Sequence, residues 1–520
     1  MIPQIHNYGI SNAELWRRKI APIHALLFLF LSAGSLLWGA SLIAGTRNFD
    51  FELFIILLGL YALASTMFVF WQTSIGQSLF HAPVYITTVA FVEFGLASLS
   101  AFLSSNQLEK QLHGNFALLI TSLGFVMLGM VGFWAGVTSA TRVSLIRPSR
   151  ARKAPDLRNS ILLWAIGLYV LATASKLFML QSGMFSYTSS RATYYSNLGS
   201  AQVLSNAGQL GLYALAILTI ERFYHPSDLT RRMLFTAVFA SECLWGLISG
   251  MKSVLLFNFV LVGLVSSVII GKTQKRWIVA AVVGLIVVYP FYEQYRTLIH
   301  QHGMQIRSVS TATAVLTQSV REVVNGDPNS VILEHGSRSA MSRLQLLDSI
   351  ALIVSMGPKR ATLMGEERLW MIPIYPFIPR LLWPSKPILD EGQRFSVAVG
   401  RGKTTSTAIT YFGDLLLRYG APGLIIGMFA FGFFSQYISG KASAALDKRW
   451  LFMYACIFPL ETDIELGAFE LWTGLIKAFV VVSILGYLIY RDNQSEQPAN
   501  LPYSSNPILA TEHQSNLNFQ

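Results

Sequence analysis

Charge is scarce in this chain. Asp, Glu, Lys and Arg make up 13% of 520 residues, where a soluble domain carries about a quarter. That deficit excludes an ordinary soluble fold. Cysteine is scarcer still: only Cys243 and Cys456 occur. Both lie inside apolar runs, so a disulfide framework and a thiolate metal site are excluded, and both read as packing residues. No Gly-rich phosphate loop is present, and no nucleotide cofactor is expected. No nucleic-acid module is recognisable. The net charge is +12, but the basic residues fall in short runs between apolar stretches rather than in a groove. The absence of an internal repeat counts against transporters built on inverted repeats. No cleavable signal is visible, because the first apolar stretch follows Arg17, Arg18 and Lys19 and is long enough to be a signal anchor.

Apolar residues are abundant, at 53%. A span needs about 20 mostly apolar residues, and about twelve stretches qualify. They are 22–45, 51–71, 83–103, 115–140, 160–180, 201–220, 233–250, 253–271, 277–297, 419–438, 450–467 and 469–490. The fold class expected is an all-α polytopic membrane helix bundle. Lys and Arg set its orientation. With the N-terminus inside, the inner connections hold basic clusters such as Arg142 to Arg158, Arg222 to Arg232 and Lys272 to Arg276. The short outer connections hold only Arg47, Lys110, Arg191 and Lys252. Both termini are therefore expected in the cytoplasm. The membrane domain covers 1–490, and the Asn-, Gln-, Ser- and Pro-rich tail 491–520 reads as disordered.

Between the ninth and tenth spans lies a long outer stretch, about 298–418. A loop of this length in a compact protein is usually functional. "SRLQLLDSIALIVS" (342–355) reads as a short amphipathic or buried helix. "LWMIPIYPFIPRLLWP" (369–384) is apolar but broken by prolines, which remove backbone donors and fix φ. Trp370, Tyr375 and Trp383 suit headgroup level, so the stretch reads as a lid on the outer leaflet. Its cations are mostly arginine. One reading is a solvated loop with ordinary ion pairs. The other is a phosphate site, because guanidinium binds phosphate bidentately and stays charged. A shorter outer segment, 182–200, sets Arg191 among Tyr187, Tyr194, Tyr195 and hydroxyls. It reads either as an interfacial tyrosine belt or as a sugar-binding surface.

Four ionisable residues fall within spans: Glu93, Lys176, Glu242 and Lys477. Such groups are functional candidates by default, though structural pairing is the simpler reading here. At the turn between the last two spans Glu461, Asp463, Glu465 and Glu470 cluster. They are either counter-ions to the arginine-rich lid or the source of a catalytic acid or base. Glu461-Thr462-Asp463 is similar to the acidic metal-binding pairs of some membrane glycosyltransferases. A site that neutralises phosphate with arginine needs no metal, and none is expected.

The stretch from Arg338 to Arg418 resembles the O-antigen polymerase family, the oligosaccharide repeat-unit polymerases of bacterial surface polysaccharides. The resemblance rests on "SRSAMSRLQLLDSIALIV", "IPRLLWPSKPILDEGQRFS" and "TTSTAITYFGDLLLRYGAPGLIIGMFAFGFF", with "FSYTSSRATYY" and "GLISGMKSVLLF" upstream. It implies a multi-pass enzyme of the bacterial inner membrane, similar to the C superfamily of membrane glycosyltransferases. Such an enzyme moves a growing glycan from undecaprenyl pyrophosphate to a newly arrived lipid-linked repeat unit. A chain-length regulator and a flippase are the partners implied. The matching arginines are Arg191 in the shorter loop and Arg338, Arg343, Arg380 and Arg394 in the longer one. Arginine stabilises the leaving pyrophosphate, and a carboxylate deprotonates the attacking hydroxyl. Asp390, Glu391 and Asp414 are the candidates for that carboxylate. Trp383, Lys386, Arg401 and Lys403 join the three tyrosines as substrate-binding candidates. Rival readings are an O-antigen ligase with a different acceptor, a polysaccharide exporter or flippase, and an exosortase-type peptidase. The last needs a Cys, Arg and His constellation that the sequence does not offer.

Overall fold

The computed structural model describes residues 49–74, 77–98, 116–145, 160–185, 198–270, 273–301, 306–325, 345–357, 407–445, 448–490 and most of 363–400. Every regular element among them is helical. The helices are α1 (Phe49–Ser74), α2 (Ala82–Phe91, prolonged by a π-helical turn Val92–Leu96), α3 (Phe116–Leu145), α4 (Ser160–Gln181), α5 (Leu198–Gly208) and α6 (Leu210–Tyr224). There follow α7 (Leu229–Ser249), α8 (Lys252–Ile270), α9 (Lys275–Gln301), α10 (Val309–Asn325) and α11 (Leu347–Ser355). Last come α12 (Glu391–Ala398), α13 (Tyr411–Ala445), α14 (Lys448–Glu461) and α15 (Ala468–Tyr490).

Eight stretches among the described residues are helical, long and apolar enough to cross a membrane. They lie in α1, α3, α4, α5 with α6, α7, α8, α13 and α15. The chain builds as a helical membrane protein. α1 shows the physical reason. Phe54, Leu58, Tyr61, Ala62 and Val69 are buried, while Ile56, Leu60, Leu63, Met67 and Phe70 are exposed at helical spacing. A helix apolar on both faces needs protein on one side and lipid on the other.

The remaining expected spans differ. Stretch 22–45 lies outside the described residues. The third is described as α2 and its π-helical turn, and 99–103 lies outside the described residues. The ninth lies in α9, part of whose side chains fall outside the described residues. The eleventh ends at Glu461, and 462–467 is a turn rather than helix. The tail 491–520 is also outside the described residues.

Helices α3 and α13 approach so closely that glycine is required. A Cβ at Gly132 would stand 2.7 Å from the Ile425 carbonyl oxygen. Gly136 and Gly432 have no room for a Cβ against the carbonyls of Phe429 and Phe133. Small residues let helix backbones pack directly, which supplies association where lipid removes the hydrophobic drive between helices.

α13 is not one straight rod. Gly420 has φ 65° and ψ −163°, outside the helical region, and Pro422 follows. Glycine tolerates that φ, and the proline ring blocks a regular helix bond to the preceding turn. The hydroxyl of Tyr411 donates to the carbonyl of Gly427 at 3.0 Å. Sixteen residues of straight helix would separate these groups by about 24 Å. The first segment, 411–419, therefore folds back along the second.

The long expected lid does not merely rest on the surface. Leu346, Leu347, Ile350 and Ala351 join the main apolar core. The Leu346 N–H donates to the Glu93 carbonyl at 3.3 Å. Of the two readings of 342–355, the described part, from 345 onward, is a buried helix. Three of the four intramembrane charges find partners, while Glu93 Oε2 has no hydrogen-bond partner among the described residues. Lys176 Nζ reaches both carboxylate oxygens of Glu242 at 2.7 Å, and Lys477 donates to Asn206 Oδ1 at 2.9 Å. Both cysteines are free, and Cys456 is buried.

Candidate functional site: a carboxylate-lined cavity

Four elements bring charged groups to one end of the bundle. They are the segment before the proline-rich stretch, α12, the folded-back start of α13, and the turn between α14 and α15. The hub is Arg418. Its Nε donates to Asp414 Oδ1 at 2.6 Å, one helical turn earlier, and its Nη2 donates to Glu391 Oε1 at 2.7 Å. Arg394 lies beside it, with Nη2 on Glu367 Oε1 at 2.8 Å and Nη1 at 3.0 Å from Asp390 Oδ1. Glu367, Glu391 and Asp414 are buried. Desolvated carboxylates need such pairing.

The turn between α14 and α15 closes over this network. Asp414 Oδ2 accepts from the Ala468 N–H at 2.8 Å, at the start of α15. An acid there also meets the positive end of a helix dipole. The N–H groups of Thr410 and Tyr411 donate to the carbonyls of Glu465 and Ile464 at 3.2 and 3.1 Å. Gly467 has no space for a Cβ, because Glu391 Oε2 occupies it. Thr410 holds φ 67°, an uncommon conformation for a β-branched residue.

Beside this turn lies a cavity of about 400 Å³. Asp390, Glu391, Asp463, Glu465 and Glu470 line it, with Gln393, Thr407 and the backbone of Gly392 and Gly467. Glu391 is the residue shared by network and cavity. Arg418 fixes one of its oxygens, and Oε2 has no hydrogen-bond partner among the described residues. Burial first, then the neighbouring Asp414 carboxylate, pushes Glu391 up to about 9. Burial also raises Asp463 above the ordinary aspartate range.

The sequence-predicted residues divide into three groups. Asp390, Glu391, Arg394 and Asp414 meet in the network just described. Arg380, Trp383 and Lys386 sit apart, in the proline-rich segment, and two of them stitch that segment together. Arg380 Nη2 donates to the Pro387 carbonyl at 2.8 Å, and Lys386 Nζ donates to the Ile378 carbonyl at 2.9 Å. The ammonium of Lys386 lies 4.0 Å from the Tyr375 ring centre. Its pKa is pushed down to about 8, by burial first and then by Arg380 and Lys477. Trp383 donates to Ser385 at 3.1 Å. Tyr375 packs edge-on against Phe469 of α15, so the segment sits at the end of that helix. The third group lies outside the described residues: Tyr187, Arg191, Tyr194, Tyr195, Arg338, Arg343, Arg401 and Lys403.

Among the described residues, the carboxyl groups that contact Arg394 and Arg418 are Glu367, Asp390, Glu391 and Asp414. Glu461 is buried within the bundle, with no hydrogen-bond partner for either oxygen among the described residues. Two members of the network, Glu367 and Arg418, were not singled out by sequence. The Asp414–Arg418 spacing of four was a usable signal, but it resembles any surface pair on a helix.

A family model described as a domain of unknown function, DUF8712, matches residues 166–488. The chain belongs to that family. No curated protein and no solved structure matches the chain. The DUF8712 match contains the whole network and the cavity, from Glu367 to Glu470.

Proposed function

We propose that this protein is a membrane glycosyltransferase that polymerises undecaprenyl-pyrophosphate-linked repeat units at the outer face of a bacterial inner membrane. In this reading the chain has about twelve spans, cytoplasmic termini and a likeness to the C superfamily. A flippase supplies its substrate and a chain-length regulator acts on its product. The observation that carries the reading is Glu391. It is a buried carboxylate with one oxygen fixed by Arg418 and the other unpartnered, lining a polar cavity.

Carboxylates suit sugar hydroxyls because they accept hydrogen bonds and, with a raised pKa, take protons effectively. The cavity is then the acceptor side. The acceptor hydroxyl oxygen attacks the anomeric carbon of the donor sugar. The bond from that carbon to the pyrophosphate oxygen breaks, and undecaprenyl pyrophosphate leaves with the electron pair. The hydroxyl proton passes to the Glu391 carboxylate. An acidic cavity repels pyrophosphate, so the leaving group belongs elsewhere. Arg191, Arg338, Arg343, Arg401 and Lys403 are the cations assigned to it. The described arginines, Arg394 and Arg418, position the carboxylates instead.

The exposed face of the proline-rich segment supports docking on the bilayer. Trp370 is 65% exposed and Leu382 76%, with Ile374 and Phe377 beside them. Apolar and aromatic side chains so placed suit an interfacial segment.

The test is glycan analysis of a deletion strain, complemented with wild type or Glu391→Gln. Single repeat units replacing long polymer, in both the deletion and the variant, is the expected outcome. Full-length polymer stranded on the lipid carrier would make the protein a ligase. Repeat units trapped on the cytoplasmic face would make it a flippase.

A further inference from the structure

The opposite end of the bundle carries a second cavity, of about 440 Å³. It is lined by Arg222 at the end of α6, Arg232 in the first turn of α7, and Arg276 in the first turn of α9. Phe223, Phe235 and Trp277 complete most of its wall. No acid contributes to that lining.

The cations at this end fall into two sets. Arg231 and Lys448 are neutralised: Glu221 lies 3.4 Å from Arg231 and 2.8 Å from Lys448, and Asp228 also pairs with Arg231. Those acids are consumed by the buried set. The cavity set makes no ion pair among the described residues. Arg222 donates from Nη1 to the Pro226 carbonyl at 2.9 Å. Arg276 stacks on Trp277, 5.8 Å from the ring centre. The Arg232 guanidinium is exposed and has no partner among the described residues. Arg231 and Arg232 are neighbours in sequence, yet one is spent on the core and the other faces the cavity.

We infer that this cavity binds the phosphate headgroup of an anionic membrane phospholipid. Arginines from three helices line one cavity, and guanidinium is a planar, bidentate donor that matches a phosphate diester. The place of the cavity at the ends of spans fits a lipid rather than a soluble anion. Arg222 and Arg232 sit at the ends of two candidate spans, Gly199–Tyr224 and Leu229–Ser249. Indole and phenyl rings beside them are the residues that settle at headgroup level. The acyl chains would lie against exposed apolar positions of the neighbouring helices, such as Met233 and Val279. This inference is independent of the glycosyltransferase reading.

The test uses the full-length protein, purified in detergent and delipidated. It is then exposed to mixed micelles of phosphatidylglycerol and phosphatidylcholine, and bound lipid is counted by native mass spectrometry. Wild type should retain phosphatidylglycerol selectively. The triple variant R222Q/R232Q/R276Q should lose that preference by on the order of a hundredfold. Arg232→Glu alone provides the decisive arm if the triple variant does not fold, because its guanidinium makes no described contact. Equal retention by wild type and Arg232→Glu would overturn the inference. Binding of inorganic phosphate without selectivity for phosphatidylglycerol would overturn it too, and would make the cavity a soluble-anion site.

Discussion

At the scale of the residue, the site turns on how Glu391 is held. A carboxyl that must accept a proton has to be ionised, and burial keeps Glu391 neutral up to about 9. Under the proposed mechanism, polymerisation by reconstituted protein should rise from pH 7 towards 9 and then level off. Glu391→Gln should remove both the activity and that slope. The stability contribution has its own sign. A folded pKa above the unfolded value favours the protonated fold. Stability from Glu391 is therefore full below the ordinary carboxyl range and is lost as pH rises through about 9. Wild type should fall behind Glu391→Gln in melting temperature across that window. Arg418 is the complementary test. Arg418→Met strips the cation from two buried carboxylates, which should cost about 3–5 kcal/mol of stability, read by denaturant unfolding in detergent. Glu391 and Asp414 were legible in sequence as acids near a motif. Glu367 was not, because its contacts cross tens of residues, and the local signal for Arg418, its spacing of four from Asp414, resembles any surface pair on a helix.

At the scale of the element, most spans were legible and their ends were not. Hydropathy placed a span at 419–438, and α13 contains it. What hydropathy did not reveal is that 411–419, read as the end of the outer stretch, is helical and folds back along the span. Gly420 makes the turn. Gly420→Ala should be destabilising by about 1–2 kcal/mol, because its φ of 65° crowds any Cβ. The loss should appear as faster proteolysis at Arg418 as well as lower melting temperature. The α3–α13 seam makes a second element-scale prediction. Gly136→Leu should separate the helices and abolish folded protein, since the Phe429 carbonyl fills the space a side chain would need. Gly124→Leu, on the same helix with nothing near its Cβ position, should be tolerated. A comparison of detergent-extracted yields by size-exclusion chromatography distinguishes them.

For the whole molecule, the two cavities divide the chemistry by end. Helix α14 runs from Lys448, paired with Glu221 at the cationic end, to Glu461 beside the acidic turn. Composition made the membrane class legible, and the Lys and Arg bias gave the expected orientation. The division into a carboxylate cavity and an arginine cavity was hidden, because each draws on side chains from elements far apart in the chain. The proline-rich segment supplies the test at this scale. Leu382→Asp places a charge on its most exposed apolar position. It should reduce polymer length without reducing the amount of protein in the membrane, as measured by glycan electrophoresis against immunoblot.

The turn between α14 and α15 also fixes an order of assembly. Thr410, Tyr411 and Asp414 all bond to backbone of residues 464–468. During synthesis the folded-back segment therefore emerges long before the partners that seat it. A nascent chain halted at Glu461 would already contain most of the bundle but no closed charge network. Completion of the last hairpin is the event that turns an inserted protein into one with a site.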